Sequence, residues 1–337
     1  MKKILLAATC LTMMAGAAAA ADVNLRYSHF MPAASWQHDD LFLAWGEAVS
    51  EASDGAVAVT VFPAETLGSA VTGYDNARNR ITDIAWTVQG YTANRFPLSH
   101  IVELPGLFET AEVGSCGFQK LYDSGVLDAE YEDTHVLFVH THGPGQLHTS
   151  GRAVQQISDL QGLKLRRPTT VIGTLLQELG AEPVGMPAPQ IYESVQRGVI
   201  DGYMLTWEAT KSFRANEVTD NHTNFGFYSL AFVTAMNKSL YEGLSEEAKA
   251  AVDANSGMEW ALTAGRGYDA ADEIALAEIR ETSTVHEIPE AERGEWEAAA
   301  ERAREIYLEE LEAAGLPGRE VYEQFKGHVA ECEAELL

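Results

Sequence analysis

The chain has 337 residues, of which 46% are hydrophobic and 22% are charged. This length suits two lobes of ordinary domain size, and the composition is that of a folded protein and not of a disordered one. The formal net charge of −27 disfavours nucleic acid and anionic lipid as partners, because an acidic surface repels both.

The first residues have the pattern of a secretory signal peptide. Lys2 and Lys3 precede a mostly apolar stretch, and a run of small residues ends at Ala21. The apolar stretch is too short to span a bilayer, so we expect residues 1–21 to be removed, with cleavage after Ala20 or Ala21. Loss of the two lysines would take the net charge to about −29. We therefore predict a periplasmic protein with no segment inserted in the membrane.

Past this segment the sequence alternates strands with helices. Alternating and β-branched patterns predict strands at 23–28, 57–62 and 81–87, with helices at about 37–53 and 69–79 between them. The β-α-β-α-β order predicts a parallel sheet with helices on both faces.

The pattern then repeats in a second α/β unit. We predict strands at 135–140, 146–149, 163–166, 183–186 and 200–204, and helical segments at 158–161, 171–179 and 189–197. Two such units favour two lobes that face a cleft, and ligands of open α/β sheets bind outside the carboxyl ends of the strands. Helical stretches follow at about 245–281 and 290–314, and Gly315 and Pro317 stop the second.

Two cysteines follow the predicted signal peptide, Cys116 and Cys332. An oxidising compartment permits a disulfide between them; the alternative is two separate thiols, one on a helix and one in a C-terminal tail. Because spacing along the chain does not fix separation in space, the sequence leaves both alternatives open.

Six motifs occur in an order that resembles one protein family. The chain reads DLQGLKLRRP at 159–168, then LGAEPVGM at 179–186 and YESVQRGVIDG at 192–202. Upstream are FP at 62–63 with LG at 67–68, DIA at 83–85 and LPGLF at 104–108. From about residue 26 to 310 the chain resembles the DctP-type solute-binding proteins of tripartite ATP-independent periplasmic (TRAP) transporters.

The resemblance implies a two-lobed α/β periplasmic-binding-protein fold, with crossing hinge strands between the lobes and a long helix that braces both. Lobe I is then expected to comprise residues 22–145 with about 233–272. Lobe II is expected to comprise residues 146–232 with about 273–337. The implied ligand is a small organic acid held by lobe closure, and the implied partners are the membrane subunits of the transporter. No cofactor is implied.

Arg166 is the candidate anchor for the ligand carboxylate. It ends a predicted strand and occupies the arginine position of the family's Gly-Leu-Lys-Ile-Arg pattern, whose guanidinium pairs with the ligand. A planar guanidinium holds both carboxylate oxygens and keeps its charge. In an extended segment Arg167 points the other way. Thr169, after Pro168, lies where family members often place a polar contact.

The sequence departs from the family at three places. Dicarboxylate and sialic-acid binders usually carry a second arginine, and here Gln146 or His148 lies near that position. Leu205 stands where an asparagine is common, and Ala188 where a bulky aromatic residue is common. A charge and a polar contact are lost while space is gained. We therefore predict a monocarboxylate ligand with an apolar or aromatic body.

Three tryptophans, Trp36, Trp86 and Trp207, lie at or just past the ends of predicted strands or in the loops that follow them. Each suits the core, since an indole buries much area, and each also suits a platform for a ring in the cleft. We expect at least one of them to contact the ligand. Glu208 beside Trp207 either bonds a ligand hydroxyl or holds a loop, and we keep it as a candidate.

Other functions fit parts of the sequence. His140, His142 and His148 form a cluster, and histidines bind zinc, but no acidic residue flanks them closely. An enzyme is disfavoured because the chain has no nucleophile elbow, phosphate loop or zinc-protease motif. A ligand-sensing subunit would show the same features as a transport subunit. We predict neither catalytic residues nor a metal site.

Overall fold

The structure, a computed structural model, describes residues 21–336. The predicted signal peptide therefore lies outside the described residues, apart from Ala21. The strands are β1 Val23–Ser28, β2 Val57–Phe62, β3 Ile84–Val88, β4 Thr134–Thr141, β5 Gly145–Thr149, β6 Lys164–Arg167, β7 Glu182–Gly185, β8 Gly202–Leu205, β9 Asn221–Tyr228, β10 Ala231–Asn237 and β11 Thr284–Glu287.

The α-helices are α1 Ala44–Ala52, α2 Gly73–Arg78, α3 Ala111–Asp123, α4 Asp128–Tyr131, α5 Thr170–Glu178, α6 Ile191–Gln196, α7 Trp207–Ser212, α8 Lys238–Glu242, α9 Glu246–Ala254, α10 Met258–Thr282, α11 Glu290–Ala313 and α12 Gly318–Leu336. A π-helix, Gln37–Leu43, leads directly into α1. Within residues 21–336, no helix combines the length and apolar character needed to cross a bilayer.

The first sheet has the strand order β2-β1-β3-β10-β4. Its β1 pairs in parallel with β2 and β3, as the sequence predicted, whereas β10 runs antiparallel to β3 and β4. The sequence did not predict β10. All of its residues are buried, so no alternation of polar and apolar residues marks it as a strand.

The second sheet has the strand order β11-β9-β5-β8-β6-β7. Here β6 lies between β7 and β8 and is parallel to both, while β5 is antiparallel to β8 and β9. The carboxyl end of β6, which carries Arg166, is therefore at the centre of three parallel strands. That is the edge at which open α/β sheets bind ligands.

Two short connections cross between the sheets. Residues 142–144 join β4 of the first sheet to β5 of the second, and residues 229–230 join β9 back to β10. The Ser229 hydroxyl donates to the His142 carbonyl at 2.6 Å, which ties the two connections together. The predicted two-lobed fold with crossing strands is confirmed. The predicted residue limits of each lobe stay a prediction.

The long helix α10 braces both lobes. It packs against α3 and β4 on one side and against α7 on the other. Asp269 accepts from the backbone N–H groups of Ala111 and Glu112 at 2.7 and 2.9 Å, and Asp272 accepts from that of Glu208 at 2.7 Å. Carboxylates are favourable at helix N-termini, so α10 fixes the starts of α3 and α7.

A disulfide joins Cys116 on α3 to Cys332 on α12, with a Cα–Cα distance of 6.1 Å. The sequence left this pairing open. Its alternative, a C-terminal tail around Cys332, is wrong, because the chain turns at Gly315 with φ 77° and continues as a helix. The bridge closes a loop with a sequence separation of 216, which restricts the unfolded chain.

Candidate ligand-binding site

Arg166 is fully buried, with 0% of its surface exposed. Its Nε donates to the carbonyl of Met186 at 2.9 Å, and its Nη1 donates to that of Met204 at 2.8 Å. Its Nη2 donates to the hydroxyl of Tyr91 at 3.0 Å. These three acceptors fix the plane of the guanidinium, and all three are neutral.

Among residues 21–336, no carboxylate lies within ion-pair distance of this guanidinium. A buried cation without an opposite charge is costly, and one that persists in a fold is usually matched by an anion. A guanidinium has five N–H groups, so the three protein bonds leave two for another acceptor. Arg166 therefore has the charge and the free donors to hold a carboxylate.

The Arg166 side chain lines a cavity between the lobes that has a volume of about 30 Å³ in this conformation. Aromatic and aliphatic side chains form most of the lining, with a few polar groups among them. The aromatic members are Phe30, Trp86, Tyr91, Phe213, Phe232 and Tyr268. A mostly apolar pocket with few polar groups is the usual form of a site for a small organic ligand.

Trp86 forms the centre of the aromatic wall. Its ring stacks on Phe232 with centroids 4.9 Å apart and an interplanar angle of 11°, and Phe30 lies 4.8 Å away. The indole Nε1 donates to His140 Nε2 at 2.8 Å. Burial lowers the pKa of His140 to about 3, so this ring stays neutral and accepts the bond. The wall is therefore held rigidly.

Two polar side chains in the lining come from different lobes. Gln37, at the start of the π-helix, is fully buried, and neither its amide nitrogen nor its amide oxygen has a partner in the described part of the chain. Glu208, in the first turn of α7, accepts from Ser212 at 2.8 Å through Oε1, while its buried Oε2 has no such partner. Burial raises the pKa of Glu208 to about 7.

His142 is a third polar group in the cavity wall. Its Nδ1 donates to the Gly143 carbonyl at 2.5 Å. Burial, with the nearby Arg166 guanidinium adding to the effect, lowers the pKa of His142 to about 4. The imidazole is therefore neutral, and Arg166 is the positive charge at this end of the cavity.

Hydrogen bonds across the cleft hold the two lobes together. The Tyr91 hydroxyl accepts from the Ala188 backbone N–H at 3.0 Å as well as from Arg166. The Thr169 hydroxyl donates across the cleft to Glu103 Oε2 at 2.7 Å. Within the first lobe the Ala231 N–H donates to Glu103 Oε1 at 3.2 Å, which holds this carboxyl in place. These contacts enclose the cavity around the end of β6.

The structure brings four of the predicted site residues to one cavity: Arg166, Trp86, Ala188 and Glu208. Leu205, predicted to stand in place of a polar residue, also lines it. These residues come from β3, β6, β8 and the two segments that follow Gly185 and Leu205. Their convergence follows from the common carboxyl edge of the parallel strands.

The other predicted residues have their side chains engaged elsewhere. Gln146 donates to the Pro144 carbonyl at 2.8 Å and accepts from the Phe225 N–H at 2.7 Å, so it braces the crossing connections. His148 Nδ1 lies 2.7 Å from His222 Nδ1, and its Nε2 donates to the Leu205 carbonyl at 3.0 Å. Neither residue lines the cavity.

Thr169 caps α5 and bonds Glu103. Trp36 packs edge-on against Tyr268 with centroids 5.0 Å apart, behind the cavity wall. Trp207 packs edge-on against His148 at 5.3 Å, in a small cluster with Ala275 and Ile279. These three side chains support the site from outside.

Sequence reasoning missed Gln37, Tyr91 and Phe232 as cavity residues. Tyr91 lies three residues past the end of β3. Trp86 was selected because it lies at the end of a predicted strand, and the same criterion would have found Tyr91. Gln37 begins the first helix next to Trp36 and could have been found as a helix start facing the strand ends. Phe232 lies on β10, which no pattern marked.

The histidine cluster does not assemble as a metal site. Within residues 21–336, no group of three or more His, Cys, Asp or Glu side chains is arranged to hold a metal ion. His140 accepts from Trp86, His142 bonds the backbone and His148 pairs with His222. Each ring already has a structural partner.

Two lobes joined by crossing strands, with a buried arginine in the cavity between them, define a two-lobed extracellular solute-binding protein. Residues 27–310 match the family model described as bacterial extracellular solute-binding protein, family 7, or DctP. The chain belongs to this family.

Solved structures of TRAP solute-binding proteins share the fold. One from Rhodoferax ferrireducens T118, in complex with copurified benzoate, is 33% identical with a TM-score of 0.90, covering 93% of this chain and 99% of that chain. One from a marine metagenome is specific for aromatic acid ligands and is in complex with 3-hydroxybenzoate. It is 33% identical with a TM-score of 0.89, covering 93% of this chain and 99% of that chain.

A more distant relative has a different ligand. The ectoine-binding periplasmic protein TeaA of Halomonas elongata is 25% identical over an alignment of 351 residues with gaps. The alignment covers 99% of this chain and 98% of TeaA. Membership of the family is thus compatible with more than one ligand class, and the cavity has to indicate which class applies.

Proposed function

We propose that this protein is the periplasmic solute-binding subunit of a TRAP transporter and that it captures aromatic monocarboxylates. The observation that carries the proposal is Arg166, a fully buried guanidinium bonded only to neutral acceptors at the wall of an aromatic cavity. The ligand carboxylate would supply the missing negative charge, and the ring would lie among Phe30, Trp86 and Phe232.

The charge and the aromatic lining of the site support an aromatic monoacid. Arg166 is the arginine in the cavity lining, so a second ligand carboxylate would be buried without a positive partner, at a high desolvation cost. Aromatic rings gain roughly 0.5–1.5 kcal/mol per stacked or edge-on contact beyond area burial. The benzoate and 3-hydroxybenzoate complexes of the two related structures agree with this ligand class.

Lobe closure would complete the site. The carboxylate binds the end of β6 in one lobe, and Tyr91 of the other lobe bonds the same guanidinium. Closure excludes water, and a charge pair is stronger in the resulting low dielectric. The closed form would then be the one that docks on the membrane subunits. The disulfide and the acidic chain support a periplasmic location. This role requires no catalytic step.

The proposal is tested by titrating benzoate against the wild type and the Arg166→Ala and Arg166→Lys variants in a calorimeter. Removing one partner of a buried ion pair costs about 3–5 kcal/mol, or roughly 10²- to 10⁴-fold in Kd. Lysine should restore little of the lost affinity, because its ammonium group cannot bond both carboxylate oxygens as a guanidinium does.

Arg167→Ala is the matched control, since Arg167 is adjacent in sequence and only partly buried. We expect less than about a threefold change, as for a partly exposed charge. Melting curves establish that each variant is folded. Wild-type affinity in a folded Arg166→Ala variant would contradict the proposal, and so would a loss confined to Arg167→Ala.

A further inference from the structure

Gln37 and Glu208 are polar groups in the cavity that the carboxylate pairing does not use. They line the same cavity as Arg166 and are 0% and 3% exposed. The Arg166 guanidinium acts on the pKa of His142 and Tyr228, whereas burial, Ser212 and Gln37 set the pKa of Glu208. These two residues therefore form a second polar region of the cavity, beside the one around Arg166.

Both groups are held in place with bonding capacity left over. Asp272 accepts from the Glu208 N–H at 2.7 Å, and the Ser212 hydroxyl donates to Glu208 Oε1 at 2.8 Å. Glu208 Oε2 and both polar atoms of the Gln37 amide make no hydrogen bond of normal geometry among residues 21–336. The Gln37 side chain nevertheless lies near enough to Glu208 and Tyr268 to act on the pKa of both. Buried polar atoms are rarely left unbonded, so a group that bridges Gln37 and Glu208 would satisfy them better than their direct contact does.

We infer that Gln37 and Glu208 form a subsite for a hydroxyl group on the ligand ring, so that the preferred ligands are hydroxylated aromatic monocarboxylates. The inference rests on the proposed function, because the carboxylate end must be held by Arg166. Gln37 lies in one lobe and Glu208 in the other. A hydroxyl between them would therefore be bonded by both lobes when the cleft is closed.

A hydroxyl group fits this pair in either protonation state of Glu208. With the carboxylate ionised, the hydroxyl donates to Oε2 and accepts from the Gln37 amide nitrogen. With the carboxyl protonated, the hydroxyl accepts from Glu208 and donates to the Gln37 amide oxygen. A methoxy group lacks the donor, and an ammonium group lacks the acceptor. The pair should therefore discriminate a hydroxyl from both.

The first test uses the wild type and a ligand series: benzoate, its 3- and 4-hydroxy derivatives, the matching methoxy derivatives and the matching aminomethyl derivatives. We expect at least one hydroxy isomer to bind about 10- to 100-fold more tightly than benzoate and than its methoxy counterpart. A methoxy acid that equals its hydroxy counterpart, or an aminomethyl acid that exceeds it, would overturn the inference.

The second test measures how far the hydroxyl preference depends on the two residues. In Gln37→Met and Glu208→Met, the ratio of the benzoate Kd to the hydroxybenzoate Kd should fall to within about threefold of one. Gln196→Met and Glu193→Met are the matched controls, since both residues are exposed on α6 and should keep the wild-type ratio. If Gln37→Met or Glu208→Met fails to fold, the affinities of the wild type for the ligand series decide the inference.

The two proposals fail in different ways. If benzoate binds in an Arg166-dependent manner but a hydroxyl adds nothing, the subsite is refuted and the proposed function stands. If neither benzoate nor its derivatives bind the folded wild type, the proposed function is refuted and the subsite with it.

Discussion

Arg166 and Arg167 are adjacent in the chain but lie in different surroundings. Along an extended strand successive side chains point to opposite faces, so Arg166 enters the cavity while Arg167 packs over Gly173 and Gly185. A Cβ at Gly173 would lie 2.5 Å from the Arg167 Cδ, so only glycine leaves room for this side chain. Burial, and not residue type, distinguishes Arg166 from Arg167 and makes it the candidate anchor.

We expect Ala188 to set the space available to a ligand ring. It is 4% exposed, lines the cavity and is fixed by the bond from its N–H to Tyr91. We expect Ala188→Phe to weaken benzoate binding by at least tenfold while lactate loses much less, because a close-packed site does not yield to several extra carbons. Competition titrations on the wild type and the variant measure both affinities.

Ala188→Ser is the matched control for this substitution, since it keeps the side-chain size. It should change the benzoate affinity by less than about threefold. Equal losses for benzoate and lactate in Ala188→Phe would mean that the ring does not occupy this space, and the aromatic character of the ligand would be refuted.

Glu103 connects three elements at the hinge. It lies on a 3₁₀-helix of the first lobe, accepts from Thr169 at the start of α5 and accepts from Ala231 at the start of β10. Burial raises the pKa of its carboxyl to about 8 from an ordinary value of 4.5. The folded protein therefore keeps a proton on Glu103 that the unfolded chain releases at neutral pH.

The sign of the resulting pH dependence follows from this difference in bound protons. Between pH 4.5 and about 8 the folded state binds more protons than the unfolded state at this site. Stability therefore falls as pH rises, by up to about 1.4 kcal/mol per pH unit. We expect the Glu103→Gln variant, whose side chain is neutral at every pH, to lack this contribution to the slope of unfolding free energy against pH.

Urea unfolding of the wild type and Glu103→Gln at pH 5, 6.5 and 8 measures the effect. The free energy of unfolding of the variant, relative to the wild type, should rise with pH. The other buried groups, including Glu208 and His140, titrate in both proteins and cancel in the difference. Glu309→Gln, at an exposed position of α11, should show no such trend. A constant difference across this range would contradict the assignment of a neutral Glu103.

At the scale of the whole molecule, we expect the lobes to open and close about two short connections. Residues 142–144 and 229–230 are the crossings between the sheets, while α10 spans both lobes without a break. Few residues need to change their backbone angles in such a hinge movement. The bonds of Tyr91 and Glu103 across the cleft form only when the lobes meet.

Ligand should therefore stabilise the closed form and compact the molecule. At a ligand concentration 100 times the Kd the gain is about 2.7 kcal/mol, which should raise Tm by several degrees. A thermal-shift screen should favour monocarboxylates over dicarboxylates, and small-angle scattering should show a smaller radius of gyration with benzoate. If zinc raised Tm while none of the organic acids did, the proposal would be contradicted and zinc binding by histidines would be favoured.

The sequence by itself determined the features that depend on neighbouring residues. Alternation along 23–28 and β-branched residues along 57–62 predicted the parallel strands β1 and β2. The strand before Pro168 placed Arg166 and Arg167 on opposite sides. The order of the motifs predicted the two-lobed fold and the family. Local patterns suffice here because strand and helix periods are local properties.

The tertiary structure decided the features that depend on distant residues. Gln37, Tyr91 and Glu208 meet at one cavity because the two lobes face each other. The sequence marked Glu208 as a candidate beside Trp207, but it did not show that the three residues come together. His148 was a candidate by position, but the pairing of β5 with β8 and β9 turns its ring toward His222. Contacts between elements set which side chain reaches the cleft, and their register is not a property of any single segment.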